Sequence, residues 1–339
     1  MNAKVMKPNR PGREDVARLA GVSLTTVSLV MNNRGETVRL SLATRERVLN
    51  AAKVLNYNPN PLMQSVLRGR TNCISFWIPK DAWDSPNPYW MDLIRTIRDA
   101  ASESGLDILL HHHRSDEDAR TAVSRMCGGL VDGVVIVPAM EDVVAAGLAS
   151  SHVRAIALDD PYPGLPCVRC DSASGMEMLA EHVLSRGHRS VAYFDRSGAP
   201  VFAAVERLAA LRRTLAKQGV ELPEHRILRL ENPSLVEASQ FLAMDPKPSV
   251  VFCFNEVRAT ALLRSCERSG IRVPEDLAIT GFDGDGGAPT PNVRTITSFD
   301  VGKTTTSRLA IKLLCDLIDG GAVAAETLTQ GKLVLGDTV

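Results

Sequence analysis

The sequence predicts an α/β protein with an N-terminal helical helix-turn-helix domain and a two-lobed body built on parallel sheets. Three observations carry that expectation. Positive charge is concentrated at one end: residues 1–70 hold 12 Lys and Arg against 4 Asp and Glu, a balance of +8, although the whole chain has 39 of each sign. The segment "DVARLAGVSLTTVSLVMN" (15–32) carries two helix-period apolar patterns separated by Gly21. From residue 72 onward, short apolar runs alternate with amphipathic stretches, the pattern of β-α repeats. A chain of 339 residues is too long for one core and suits two or three domains.

The first three helices fall within residues 13–56. "REDVARLA" buries Val16, Ala17 and Ala20; "LTTVSLVMN" turns Val27, Val30 and Met31 inward; "SLATRERVLNAAKVLNY" turns in Val48, Leu49, Ala52 and Leu55. Ser23 and Ser41 stand where N-caps belong, their hydroxyls accepting from the free N–H groups of a helix start. Gly21 supplies a turn conformation that a Cβ resists. Two short helices joined by such a turn, with hydroxyls crowding the second, let a helix N-terminus approach a phosphate backbone. An ordinary helical hairpin is the other reading; the local basic charge favours nucleic acid.

Pro59 and Pro61 end the third helix, and "NPNPLMQSVLRGRT" (58–71) reads as a hinge. Asn60 and Pro61 also fit the N-cap and first position of a short, conditionally formed helix. Beyond it the apolar runs "CISFWIP", "LDILLHH", "DGVVIVP", "RAIALD", "CVRCD", "SVAYFD", "RILRL", "SVVFCFN" and "LAITGFD" are strands. Helices are predicted between them at 89–104, 116–128, 140–149, 174–187, 202–218, 234–244 and 256–269. A division near 160–172 gives two similar lobes, and ligands of such sheets bind beyond the carboxyl ends of the strands.

The head segment and the following "TRERVLNAAKVLNYNPN" together resemble the DNA-binding domain of the lactose/galactose-repressor (LacI/GalR) family. The resemblance continues through "GHRSVAYF", "PSVVFCFNE", "GIRVPEDLAITGFDG" and the final "LVLGDT". It implies a DNA-binding head (1–57), a hinge (58–71) and a periplasmic-binding-protein-like, effector-binding and dimerising body (72–339). The N-lobe would comprise about 72–170 and 300–328, and the C-lobe about 171–299 and 329–339.

The partners it implies are a double-stranded DNA operator, a sugar-like small-molecule effector and a second copy of the chain. Leu24 and Thr25 match positions that read bases; Leu29 matches a third, often Arg in the family, where Leu offers only apolar contact. Ser23, Thr26, Ser28, Asn32 and Thr44 match phosphate-contacting or capping positions, and Gly12 replaces a common Thr cap. In the hinge, Met63, Gln64 and Val66 replace the family's Ala, Arg and Leu, leaving Val66 or Leu67 as the minor-groove wedge.

In the body, Arg207, Asp171, Asn255 and Asp283 match polar effector contacts, and Glu256 stands where the family has Asp. Trp90 is either a stacking face for a flat ligand or a helix-start aromatic packed on the core.

Other chemistry is not indicated. Cys167-Val-Arg-Cys170 lacks the second pair of a zinc site, His111-His112-His113 reads as a turn, and "GDGG" (284–287) lacks a phosphate-loop Lys. No catalytic constellation, metal or cofactor is expected. "MNAKVMKPNRPG" lacks the apolar region of a secretory signal, and no run approaches the ~20 apolar residues of a membrane span. Seven scattered Cys fit a reduced cytoplasm. A solute-binding protein shares the body fold, but it would begin with a secretion signal rather than a basic helix-turn-helix.

Overall fold

The computed structural model describes residues 11–31, 40–78, 88–112, 114, 117–138, 140–198, 201–284 and 294–339. Two compact units result, Met1–Thr71 and Asn72–Val339.

The first unit contains α1 (Arg13–Ala20), α2 (Leu24–Met31), α3 (Leu42–Val54) and α4 (Pro61–Arg68). Its core is aliphatic: Val16, Ala17, Ala20, Val27, Val30, Val48, Ala51 and Ala52 are buried. Each fully buried Val contributes about 1.5–3 kcal/mol, so a core with four of them is sensitive to any single loss. Leu49 corrects the sequence expectation, because it is 46% exposed and Ala51 takes the inward place. The inward set Val48, Ala51, Ala52 and Leu55 follows the i, i+3, i+4, i+7 stripe, and Leu49 falls off it. The hinge segment is helical, and Arg68 Nη2 donates to Gln64 Oε1 at 2.7 Å along its surface.

The second unit holds two parallel sheets. The first runs β11-β5-β4-β3-β1-β2, from β1 (Cys73–Ile78), β2 (Asp107–His112), β3 (Gly133–Ile136), β4 (Arg154–Leu158), β5 (Cys167–Cys170) and β11 (Glu326–Thr329). The second runs β7-β6-β8-β9, from β6 (Val191–Arg196), β7 (Ile227–Leu230), β8 (Val250–Cys253) and β9 (Ala278–Thr280). β10 (Ser298–Asp300) and β12 (Lys332–Val334) form an antiparallel ribbon. Around the sheets lie α5 (Pro88–Glu103), α6 (Ala119–Met126), α7 (Asp142–Ala149), α8 (Ser172–Ser185), α9 (Phe202–Lys217), α10 (Ala238–Leu242), α11 (Glu256–Arg268) and α12 (Lys303–Ile318).

Both faces of each sheet are covered. Phe76 and Ile78 join one cluster of the first sheet and Trp77 the other; Tyr193 and Phe194 divide in the same way across the second. This is strand alternation in a doubly buried sheet, which is why these strands read as unbroken apolar runs. Although late in sequence, α12 packs against the first sheet through Ala310, Ile311 and Leu314. The chain therefore crosses between lobes after β5, before α12 and between β11 and β12.

Two predicted helices are shorter. Asp118 caps α6 by accepting from Thr121 N–H at 2.7 Å, so the helix starts at 119 rather than 116. The single helix expected at 234–244 is a 3-10 turn at Pro233–Leu235 and the short α10. Between them Val236 and Glu237 are extended, Val236 is fully buried, and Ser265 Oγ takes the Ala238 N–H at 2.9 Å. Tertiary packing overrides helical periodicity there. His111 and His112 end β2, as the strand run "LDILLHH" predicts; His111 is buried, with its Nδ1 2.7 Å from Ser75 Oγ, and His113 lies outside the described residues.

Candidate nucleic-acid interface and interlobe cleft

In the head, Gly21 adopts φ 63° and ψ 42°, and its N–H donates to the Ala17 carbonyl. Val22 N–H reaches the same carbonyl at 3.1 Å, closing α1 and setting the turn into α2. Ser23 Oγ accepts from Thr26 N–H at 3.2 Å and lies 2.9 Å from Thr26 Oγ1. Ser41 and Thr44 repeat this arrangement, with 3.2 and 2.9 Å. The hydroxyls thus hold two helix starts in register while remaining at the surface.

Leu24 is 47% exposed and Thr25 is exposed, whereas Leu29 is half-buried on the same helix. A concavity of 560 Å³ is lined by Gly12, Arg13, Leu24, Thr25 and Ser28 among others, between the starts of α1 and α2. Gly12 N–H donates to Asp15 Oδ2 at 2.8 Å, so the third residue of α1 supplies the cap that Gly12 lacks. Asn32 and the side chain of Leu67 lie outside the described residues. In α4, Val66 is 78% and Met63 55% exposed, an apolar surface with no cover inside this unit among the described residues.

In the body, the sequence-predicted residues separate into two groups. Arg207 and Asp283 meet: Arg207 Nη2 donates to Asp283 Oδ1 at 2.6 Å, and Nη1 donates to the Phe254 carbonyl at 2.9 Å. The guanidinium lies 3.9 Å from the Phe282 ring centre and 5.0 Å from that of Phe254. Asp171 and Asn255 instead cap helices. Asp171 accepts from Ser174 N–H at 3.0 Å and Ser174 Oγ at 2.7 Å; Asn255 accepts from Arg258 N–H at 3.2 Å. Trp90 packs, half-buried, against the first sheet's core and meets Tyr89 edge-on at 5.2 Å. Glu256 fits its longer side chain across Gly281, where a Cβ would meet Glu256 Cγ at 2.7 Å.

Three further residues join this ion pair: Lys303 and Asp159, which sequence reasoning missed, and Tyr89, which lies in the stretch "NPYW" (87–90) that matches a ligand-contacting segment of the family. Lys303, at the start of α12, is 6% exposed and donates from Nζ to the Asp283 carbonyl at 2.8 Å. Tyr89 Oη donates to Asp159 Oδ2 at 2.6 Å, and Lys303 Nζ is 5.6 Å from the Tyr89 ring centre. Burial is the main cause of the raised Asp159 carboxyl, which the Tyr89 hydrogen bond partly opposes; burial also pushes the Tyr89 phenol well up.

Asp159 (φ 67°) and Asp283 (φ 92°) both hold left-handed backbone conformations. Such strain costs about 1–3 kcal/mol per residue and gathers at binding sites. Asp159 ends a strand just as Asp283 does, so the rule that selected Asp283 had a second match; Lys303 carried no such signal.

These residues come from both sheets. Arg169 of β5 adds a bridge, donating from Nη1 to Glu206 Oε1 at 2.9 Å on α9, one residue before Arg207. A concavity of 990 Å³ lies beside the ion pair, lined by Asp92, Arg95, Asp300, Lys303 and Lys332 among others. Lys303, which donates to the Asp283 carbonyl, connects this concavity to the pair.

The other motifs are structural. Cys167 and Cys170 point into different core clusters, and burial pushes both thiols up to about 12. Among the described residues, no group of three His, Cys, Asp or Glu is placed to hold a metal, and no helix is long and apolar enough to cross a membrane.

Comparison with known proteins gives two family matches. Residues 14–60 match the model described as bacterial regulatory proteins, lacI family, and residues 180–339 match a periplasmic binding protein-like domain. The HTH-type transcriptional regulator DegA of Bacillus subtilis is 32% identical over 278 residues, covering 79% of this chain and 80% of its own. The HTH-type transcriptional repressor PurR of Photobacterium profundum is 28% identical over 278 residues, covering 80% and 81%.

Among solved structures, a transcriptional regulator CelR–cellobiose complex is 26% identical with a TM-score of 0.69, covering 97% of this chain and all of its own. The Lac repressor dimer bound to operator and the anti-inducer ONPF is 24% identical with a TM-score of 0.82, covering 98% and 99%.

Proposed function

The chain belongs to the lacI family of bacterial regulatory proteins, and on that premise we propose that it is a repressor whose operator affinity is set by a sugar-like effector bound between its lobes. The observation that carries the DNA half is the head. Exposed Leu24 and Thr25 stand at the start of a helix set at an angle by Gly21, inside a segment of balance +8. Leu24, Thr25 and Leu29 read bases, while Ser23, Thr26, Ser28, Asn32 and Thr44 face or organise phosphate contacts. Val66, exposed on α4, or Leu67 wedges the minor groove.

The effector half rests on the buried Arg207–Asp283 pair at the carboxyl ends of the second sheet. Trp90, Asp171 and Asn255 complete that contact set, and the CelR–cellobiose likeness supports a sugar. The domain limits that fit are 1–57, 58–71 and 72–339, with lobes of about 72–170 plus 300–328 and 171–299 plus 329–339.

Two copies act together on a roughly palindromic site, in keeping with the dimeric Lac repressor that shares the fold. The protein works in the cytoplasm, without catalysis or cofactor. By linkage, an effector that weakens DNA binding is itself bound more weakly by the DNA complex.

The test is selection of bound fragments from a genomic library by the purified chain. An enriched inverted repeat is expected; fragments recovered without a shared sequence would overturn the assignment.

A further inference from the structure

One buried charge in the second lobe has no counter-ion and only one hydrogen bond from its side chain among the described residues. Arg258, in the first turn of α11, is 7% exposed. Its Nη2 donates to the Leu230 carbonyl at 3.1 Å, and its Nε is buried without a hydrogen-bond partner. The guanidinium lies 5.6 and 5.8 Å from the ring centres of Phe194 and Phe254. Among the described residues no carboxylate oxygen is within 4.0 Å of it.

The other buried arginines are better compensated. Arg169 pairs with Glu206 and Glu326, and Arg207 with Asp283. Arg226 donates to Ser190 Oγ and to the Val191 and Pro246 carbonyls. Asp195, whose field reaches Arg258, has one oxygen on Arg196 N–H at 2.8 Å and the other 3.5 Å from Arg229.

A desolvated cation without a partner is expensive, and a charge-assisted hydrogen bond to an oxyanion relieves it. The position fits a ligand as well as the charge does. Leu230 ends β7, Phe254 follows β8 and Asp195 lies next to the end of β6, so the guanidinium sits at the carboxyl ends of three parallel strands. The Phe254 ring also lies 5.0 Å from the Arg207 guanidinium. The two arginines therefore flank one side chain at the mouth of the same sheet.

We propose that Arg258 anchors an anionic group, carboxylate or phosphate, on the molecule that occupies the cleft, which makes the effector an acidic sugar rather than a neutral one. The assignment rests on the cleft being the effector site. Arg207 and Asp283 then serve the hydroxyls, and the planar fork of Arg258 takes the acid.

The test is calorimetric titration and thermal unfolding of the full chain at fixed ionic strength with D-gluconate, D-glucose 6-phosphate and D-glucose, for wild type, Arg258→Met and Arg258→Lys. One acidic sugar is expected to bind wild type at least tenfold more tightly than glucose, and which one does so separates carboxylate from phosphate. Arg258→Met brings that affinity down to the level of glucose, and Arg258→Lys keeps part of it. Without ligand, Arg258→Met melts at or above wild type, because an uncompensated buried cation has been removed.

Melting several degrees below wild type would show the guanidinium already compensated within the fold, and would overturn the proposal. So would an acid preference equal in wild type and Arg258→Met, or no preference for either acid over glucose. Binding of glucose without a preference for either acid counts against Arg258 alone, because the hydroxyl contacts then stand without it. No binding of any of the three, with operator selection intact, counts against the effector reading as well.

Discussion

Arg207 and Asp283 face each other at 2.6 Å with both side chains 7% exposed, one from helix α9 and the other from the turn after β9. A pair so buried is worth little relative to apolar residues of the same volume, but removing one member leaves a stranded charge. Asp283→Ala therefore lowers the stability of the body by about 3–5 kcal/mol. Arg207→Met combined with Asp283→Leu recovers most of the loss. All three Trp lie beyond residue 72, so urea unfolding followed by Trp fluorescence reports the body without interference from the head.

Asp159 predicts a pH dependence. Its carboxyl is raised above the ordinary 3.8, chiefly by burial. Between 3.8 and its native value the unfolded chain has released the proton and the folded chain still holds it. Its contribution to stability is therefore fully present below 3.8 and is lost as pH rises through that window. Asp159→Asn removes this fall. Melting curves from pH 3 to 7 should show wild type losing stability relative to the variant as pH rises, and parallel curves would refute it.

Gly21→Ala places a Cβ on a backbone at φ 63°. About 1 kcal/mol is lost, roughly a fivefold shift in the folded fraction of a head whose core holds only small aliphatic side chains. Helical circular dichroism of the head and operator affinity should fall together. Unchanged affinity would mean that the turn is not what sets α2 against DNA.

Leu29 sits half-buried on α2 without a polar group. As a proposed base-reading position it offers DNA only an apolar contact, as with a thymine methyl. Leu29→Arg should move the selected base at one position of each half-site to guanine, with about 1–3 kcal/mol of discrimination. Parallel selections with wild type and variant decide it.

The fold was largely legible in the chain because doubly covered parallel strands write themselves as unbroken apolar runs, as "SVAYF" and "SVVFC" do. The site was legible where a charged residue had one plausible destination, as with Arg207. Asp171 and Asn255 show the limit. A polar residue where a strand gives way to a helix can cap that helix as well as meet a ligand, and the capping role, which both residues have, was not separable from the other in the chain. Lys303 was invisible because it reaches Asp283 across a connection of 20 residues, and periodicity carries no information over that span. Arg258 carries no such signal either: its place on a helix predicted over 256–269 does not announce burial beside Phe194 and Phe254.

The central claim is that the basic head recognises a DNA sequence, and the salt dependence of binding tests it most directly. Affinity for the enriched site and for an unrelated duplex is measured across 50–200 mM salt. Six to ten phosphate contacts predict a fall of roughly 10³–10⁵ over that range. At every salt concentration the selected site should stay at least ~10³-fold tighter than the unrelated duplex. Affinity insensitive to salt, or equal for both duplexes, would contradict the account.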